Sequence, residues 1–236
     1  MAGTDASVNA REPDDPSTFL IPQRIRLYDF ARVDDATLLA AKRTAEVIFH
    51  GAGLRVEWVD CIAHWRGGME RFTCARAFRP GDFVVRIVAP ASGPRAPLKP
   101  HTLGFAALDR EGDRGYLATV FWPLVKRTAE LSGVAPGTAL GCVIAHELGH
   151  LLLRTTGHAV SGIMSREWDE DDLRRLLREG MQFSSQQAER MRAEVIDRHA
   201  AREEQSPFDL AQRKEARRAL APKTPFIHAV GGSDSP

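Results

Sequence analysis

The sequence predicts an α/β fold, and three observations carry that expectation. Strand-like and helix-like patterns alternate from residue 24 onward, Phe83-Val-Val-Arg-Ile-Val-Ala is almost continuously apolar as an interior strand should be, and a long apolar helical pattern runs from about Thr138 to Arg154. The order of strand, helix, three or four strands and then helices implies a twisted, mostly parallel sheet with helices packed on it. A smaller helical C-terminal lobe follows.

Taken in order, Arg24-Ile-Arg-Leu-Tyr-Asp-Phe alternates polar and apolar residues and reads as a half-buried strand. Asp34 or Asp35 then caps a helix carrying Leu38, Leu39, Ala41, Ala45 and Ile48, which Gly51 and Gly53 end. Leu54 to Asp60 is a second strand and Phe83 to Ala89 a third. The polar connection at 62–82 has no assigned structure. Prolines 90, 94, 97 and 100 mark a loop leading to Thr102-Leu-Gly-Phe-Ala-Ala-Leu, a turn at Glu111 to Gly115, and Tyr116 to Trp122, two further strands joined by a tight connection. Pro123 opens a helix through Leu131, and the helix at 138–154 follows the Ala135-Pro136-Gly137 turn. Two amphipathic helices are expected between Asp171 and Arg198, one with Leu173, Leu176 and Leu177, the other with Ala188, Met191, Val195 and Ile196. The expected organisation is a flexible segment at 1–22, a sheet-and-helix lobe at 23–157, a helical lobe at 158–200 and a poorly ordered tail at 201–236.

Composition narrows the functional classes. The 236 residues are 43% hydrophobic and 27% charged, ample for a substantial core. Lys plus Arg number 32 against 31 Asp plus Glu, a formal charge of +1, so no overall field favours nucleic acid. Arg174-Arg175 and Arg217-Arg218 are too short and too interleaved with acids to suggest otherwise. No apolar run approaches the roughly 20 residues of a membrane span, and the first residues lack a secretory signal; a cytoplasmic address is the default reading, with secretion the alternative if a leader has been removed. Three cysteines cannot form a disulfide scaffold, although Cys61 and Cys74 suit a single loop-closing bridge in an oxidising compartment, and Cys142 reads as a small core residue.

The chemistry concentrates in Val143-Ile-Ala-His-Glu-Leu-Gly-His-Leu-Leu-Leu153. His146 and His150 stand four apart, so on a helix both imidazoles leave the same face one turn apart and can share one Zn²⁺ at about 2.1 Å. Glu147 lies beside the first histidine, placed to hydrogen-bond a metal-bound water rather than to ligate. Leu140, Ile144, Leu148 and Leu152 form the packing face. A catalytic zinc site takes three protein ligands, and His158 is the expected third, brought back by a turn in which Gly157 adopts the left-handed conformation. The rival third ligand is Glu170, within the acidic run from Glu167 to Asp172. Asp109 and Asp113 around Gly112 read as a polar turn before a cation site, and Trp58, Trp65, Trp122 and Trp168 as packing residues.

The stretch His146-Glu-Leu-Gly-His150, then His158, then Gly162-Ile-Met164, resembles the zinc-binding helix and Met-turn of metzincin metallopeptidases, particularly matrixin-like and archaemetzincin-like ones. More weakly, Thr102-Leu-Gly-Phe-Ala-Ala is similar to the edge strand on which matrixin-like enzymes lay an extended peptide, and Ala45 to Asp60 resembles their first helix and following strand. The resemblance implies a zincin-like fold and a zinc-dependent endopeptidase acting on a peptide or protein substrate. Its site would comprise ligands His146, His150 and His158, general base Glu147, Met164 beneath the metal and Leu103, Gly104, Phe105 and Ala106 as substrate edge. Two departures stand out. Metzincins place five residues between the second and third histidines, with a glycine third among them. Here seven intervene and Leu153 holds the glycine position, a wider spacing similar to that of small bacterial metzincin-like proteins, and one that leads us to expect a longer helix. No Tyr follows Met164. Two other readings share the motif: a cytosolic regulatory peptidase with an acidic third ligand, and a catalytically silent, zinc-stabilised binding module.

Overall fold

The computed structural model describes residues 20–66, 69–79, 81–89, 102–108, 115–166, 168 and 180–204. Six strands form one sheet: β1 (Ile21–Asp29), β2 (Leu54–Arg66), β3 (Met69–Cys74), β4 (Phe83–Val88), β5 (Gly104–Ala107) and β6 (Leu117–Phe121). Their order is β3-β2-β1-β4-β6-β5. The central pairs β2/β1, β1/β4 and β4/β6 are parallel, and an antiparallel strand closes each end. The expected α/β architecture with a mostly parallel sheet is therefore observed. Among the described residues four helices accompany it: α1 (Asp35–Gly51), α2 (Trp122–Ser132), α3 (Pro136–Leu153) and α4 (Ser185–Glu204).

Asp34 caps α1, its carboxylate accepting from the Thr37 amide at 2.9 Å, and Gly53 turns the chain out of the helix at φ 78°. Pro136 opens α3 in the first turn, where its missing N–H costs nothing. Ala41, Ala45 and Ile48 of α1 and Leu140, Ile144, Leu148 and Leu152 of α3 are buried against Ile25, Leu27, Phe83, Val85, Ile87, Ala118 and Val120 of the sheet. Cys142 is buried and free, as expected of a core residue. Leu39 and Ile196, read from the sequence as part of packing faces, are 49% and 55% exposed. Each lies off the stripe set by its neighbours, Ala41–Ala45–Ile48 on α1 and Ala188–Met191–Val195 on α4.

The connection at 62–82 holds an antiparallel hairpin. β2 continues to Arg66 and pairs with β3, placing Cys61 directly opposite Cys74, and the two are joined as a disulfide. The polar face of β1 also differs from expectation, because it is covered. Arg26 is 2% exposed, donates from Nε to Asp82 Oδ2 at 2.9 Å and from Nη2 to the Arg76 carbonyl at 2.8 Å, and lies over the Phe78 ring. The guanidinium is buried only because those partners replace water.

The chain divides into a compact unit, Met1–His199, and a C-terminal unit, Ala200–Pro236, of which only the end of α4 is described. Among the described residues no helix is long and apolar enough to cross a membrane. The expected helix with Leu173, Leu176 and Leu177, the turn at Asp109 and Asp113, and Glu170 all lie outside the described residues.

Candidate metal centre

α3 carries the site on one face and the core on another. His146 and His150 are 9% and 7% exposed, and each ring is fixed by a backbone carbonyl: His146 Nδ1 to Ile163 O at 2.7 Å, His150 Nδ1 to Thr155 O at 2.8 Å. A carbonyl oxygen only accepts, so both Nδ1 atoms carry the proton and both neutral rings present a bare Nε2 lone pair. Those two Nε2 atoms face each other at 3.1 Å. Two lone pairs so close repel unless an electrophile lies between them. Two nitrogens about 2.05 Å from a tetrahedral zinc are themselves about 3.3 Å apart, close to the separation observed.

His158 closes the group. One ligand atom from each of His146, His150 and His158 lies within 4.8 Å of the others, a set able to hold a metal ion. Burial lowers all three imidazoles, His146 to about 4, with the Arg166 charge adding to the effect at His158, so each is neutral and ligand-competent at pH 7.

The turn that returns His158 differs from the expected one. α3 ends at Leu153 rather than running longer, and the extra residues lie in the turn. Arg154, not Gly157, adopts the left-handed conformation, at φ 52°. That costs about 1 kcal/mol for a residue with a Cβ. Arg154 makes an ion pair with Glu194 at 3.7 Å, and Arg190 donates to the Leu153 carbonyl, so α4 holds the helix end in place. Gly157 instead donates its amide to the Thr155 hydroxyl.

Met164 is 1% exposed, and a Cβ built on Gly149 would lie 2.5 Å from its Sδ, so the thioether sits directly against the α3 turn between the two histidines. The tight turn that brings it there, closed by Ser165 N to Gly162 O with Gly162 at φ 80°, also presents the Ile163 carbonyl to His146.

Glu147 is 6% exposed, and burial pushes its carboxyl up to about 8. It faces β5. A Cβ on Gly104 would stand 2.8 Å from Glu147 Oε1 and 2.9 Å from Glu147 Cγ, so the bare backbone of Gly104 makes room for the carboxylate. Between α3, β5 and the chain from Thr155 to Trp168 opens a cleft of about 710 Å³, lined by the three histidines, Glu147 and residues Thr102 to Ala106. The structure thus brings Leu103, Gly104, Phe105 and Ala106 to the rim of the space that Glu147 enters.

Three features of the site escape sequence reading. The role of Gly104 depends on a contact between segments 43 residues apart. Trp168, read as a packing residue, stands edge-on to the His146 ring at 5.6 Å and lines the cleft, its buried indole N–H without a partner among the described residues. Arg166 also lines the cleft, and its charge acts on His158.

No protein-family model and no curated protein matches the sequence. Among solved structures, this chain is similar to a zinc-dependent peptidase from Methanocorpusculum labreanum, at 16% identity and a TM-score of 0.44, over 71% of this chain and 99% of that one. A likeness so slight assigns neither a family nor an activity.

Proposed function

We propose that the protein is a zinc-dependent metallopeptidase of the metzincin type, an endopeptidase in which His146, His150 and His158 hold the metal and Glu147 is the general base. The observation that carries this reading is the pair of Nε2 atoms facing each other at 3.1 Å, with each opposite Nδ1 on a backbone carbonyl, beside a buried carboxyl and a third imidazole. Zinc bound there would lower the pKa of a coordinated water to about 7 and polarise a substrate carbonyl.

The chain's own residues supply the rest. Burial alone favours the protonated form of Glu147, and the charge of a zinc held by the histidines would return it to the carboxylate. As the carboxylate it accepts the proton as water adds to the scissile carbonyl and delivers it to the amine nitrogen as the C–N bond breaks, so it ends the cycle as it began. The carbonyls of Ile163 and Thr155 fix the histidine rings and raise their basicity. Met164 forms the floor. β5 receives the peptide: Leu103 O accepts from Phe121 N across the β5/β6 pair, so by strand alternation Gly104 and Ala106 turn their N–H and C=O groups to the open edge. An extended substrate antiparallel to β5 would pair with those groups, gaining affinity from the main chain.

The test measures zinc content of the purified protein, of Glu147→Gln and of His158→Ala, alongside cleavage of generic peptides with and without chelator. The expected result is zinc-dependent cleavage by the wild type, retained metal without turnover in Glu147→Gln, and weakened binding in His158→Ala, which gives up its metal on purification unless zinc is supplied in excess. Cleavage unaffected by Glu147→Gln would overturn the reading.

A further inference from the structure

The cleft carries a charge that the hydrolytic step does not use. Apart from the histidines and Glu147, the described residues lining the cleft are aliphatic, aromatic or hydroxyl-bearing, with one exception, Arg166. Its side chain is exposed and forms no ion pair among the described residues, and its charge is felt at His158. A guanidinium lining the same cleft as the three histidines and Glu147 offers a planar fork of donors that matches a carboxylate. Chemistry at the carbonyl needs neither this charge nor its position, but selection among peptides would.

We propose that Arg166 is a specificity-determining residue that binds a carboxylate of the substrate peptide in the cleft. The inference rests on the peptidase reading and deepens it. The carboxylate has two sources, an internal Asp or Glu side chain or the free C-terminus of a peptide ending in the cleft. The interaction is partly solvated, so its contribution is modest and weakens with salt.

The experiment compares matched peptides with the zinc-loaded wild type, Arg166→Gln and Arg166→Glu. One set scans Glu, Gln and Lys through each position near the cleaved bond with the C-terminus amidated; the other keeps neutral side chains and compares free with amidated termini. The wild type is expected to favour the carboxylate peptide by about fivefold in kcat/KM at low salt, the upper range for an exposed ion pair. Arg166→Gln brings the ratio close to one, and Arg166→Glu turns it toward Lys. The set that shows the preference identifies the source, and the charge reversal separates Arg166 from the acidic run that follows it in sequence. The same ranking of peptides by the wild type and Arg166→Gln would overturn the inference. The same fluorescent peptides are also bound to zinc-loaded Glu147→Gln, with and without Arg166→Gln, and followed by anisotropy. Carboxylate-selective binding that depends on Arg166, without cleavage by any form, sinks the peptidase reading and leaves the carboxylate site standing. Cleavage indifferent to Arg166 does the reverse, and neither binding nor cleavage sinks both.

Discussion

Gly104→Ala tests whether the edge strand and the catalytic helix are fitted to each other. The added Cβ would stand 2.8 Å from Glu147 Oε1, 2.9 Å from Glu147 Cγ and 2.8 Å from the Thr119 carbonyl oxygen. Ordinary contact begins near 3.4 Å, so the neighbours must give by 0.5 to 0.6 Å. Thr119 belongs to the strand paired with β5 and yields only by loosening that pairing, so most of the movement falls on Glu147. A misplacement of about 1 Å at a reacting group can cost on the order of 10²-fold, so a displacement of about half that predicts a tenfold to 10²-fold loss in kcat/KM, about 1.4 to 2.7 kcal/mol. Global stability falls by about 1 to 3 kcal/mol, the usual cost of overpacking. Zinc content is unchanged, because no imidazole is touched. The assay is a double-mutant cycle with Glu147→Gln: if the methyl acts through Glu147, adding it to that variant costs little more. A Gly104→Ala enzyme within twofold of wild type, or a double variant that loses the full product of both effects, would refute this reasoning.

Glu147→Gln alone is expected to keep its zinc and lose 10² to 10⁴-fold in turnover, read by metal analysis and steady-state kinetics. His158→Ala removes a direct ligand, so competition with a chelator should show more than about 100-fold weaker zinc binding, beyond the effect of losing a supporting hydrogen bond. In metal-free Glu147→Gln, acid should destabilise the fold. Burial holds His146 at about 4 against 6.5 in the unfolded chain, so unfolding takes up a proton, and stability complete above pH 6.5 is lost progressively as pH falls through 4. That difference is worth about 3 kcal/mol, seen as a falling urea midpoint. The metal-free wild type should show a shallower acid slope, because Glu147, raised to about 8, works in the opposite direction and loses stability as pH rises from 4.5 through 8. Identical profiles for the two proteins would contradict both assignments. Saturating zinc should stabilise the wild type, by about 2.7 kcal/mol at 100 times Kd, and a melting temperature indifferent to zinc would tell against the site.

The centre of the site was legible because a helix of period 3.6 converts four-residue spacing into adjacency. His146, Glu147 and His150 needed no more than that rule and an apolar face to hold the helix, and the interior strand Phe83 to Val88 announced itself by its unbroken apolar run. The remainder depends on contacts the sequence encodes only through the whole fold. Gly104 meets Glu147 because β5 closes the sheet antiparallel to β6, so a residue that reads as ordinary strand glycine becomes the space for a carboxylate. The β2/β3 hairpin lies within 62–82, where the polar pattern assigns no structure; only the Cys61–Cys74 bridge that closes it was legible, as two cysteines suited to a single loop-closing disulfide. Arg26 looked solvent-facing because its burial partners, Arg76 and Asp82, are 50 and 56 residues away. At the helix end, local glycine preference favoured Gly157, whereas Arg154 took the left-handed position under the hold of α4.

Zinc-edge X-ray absorption of the purified, zinc-saturated protein, combined with metal stoichiometry, bears most directly on the centre built by α3. One zinc per chain with three imidazole nitrogens at about 2.0 to 2.1 Å, falling to two in His158→Ala, is the expected result. A protein that retains no zinc under saturating supply, or a zinc whose first shell lacks those three imidazoles, would contradict it.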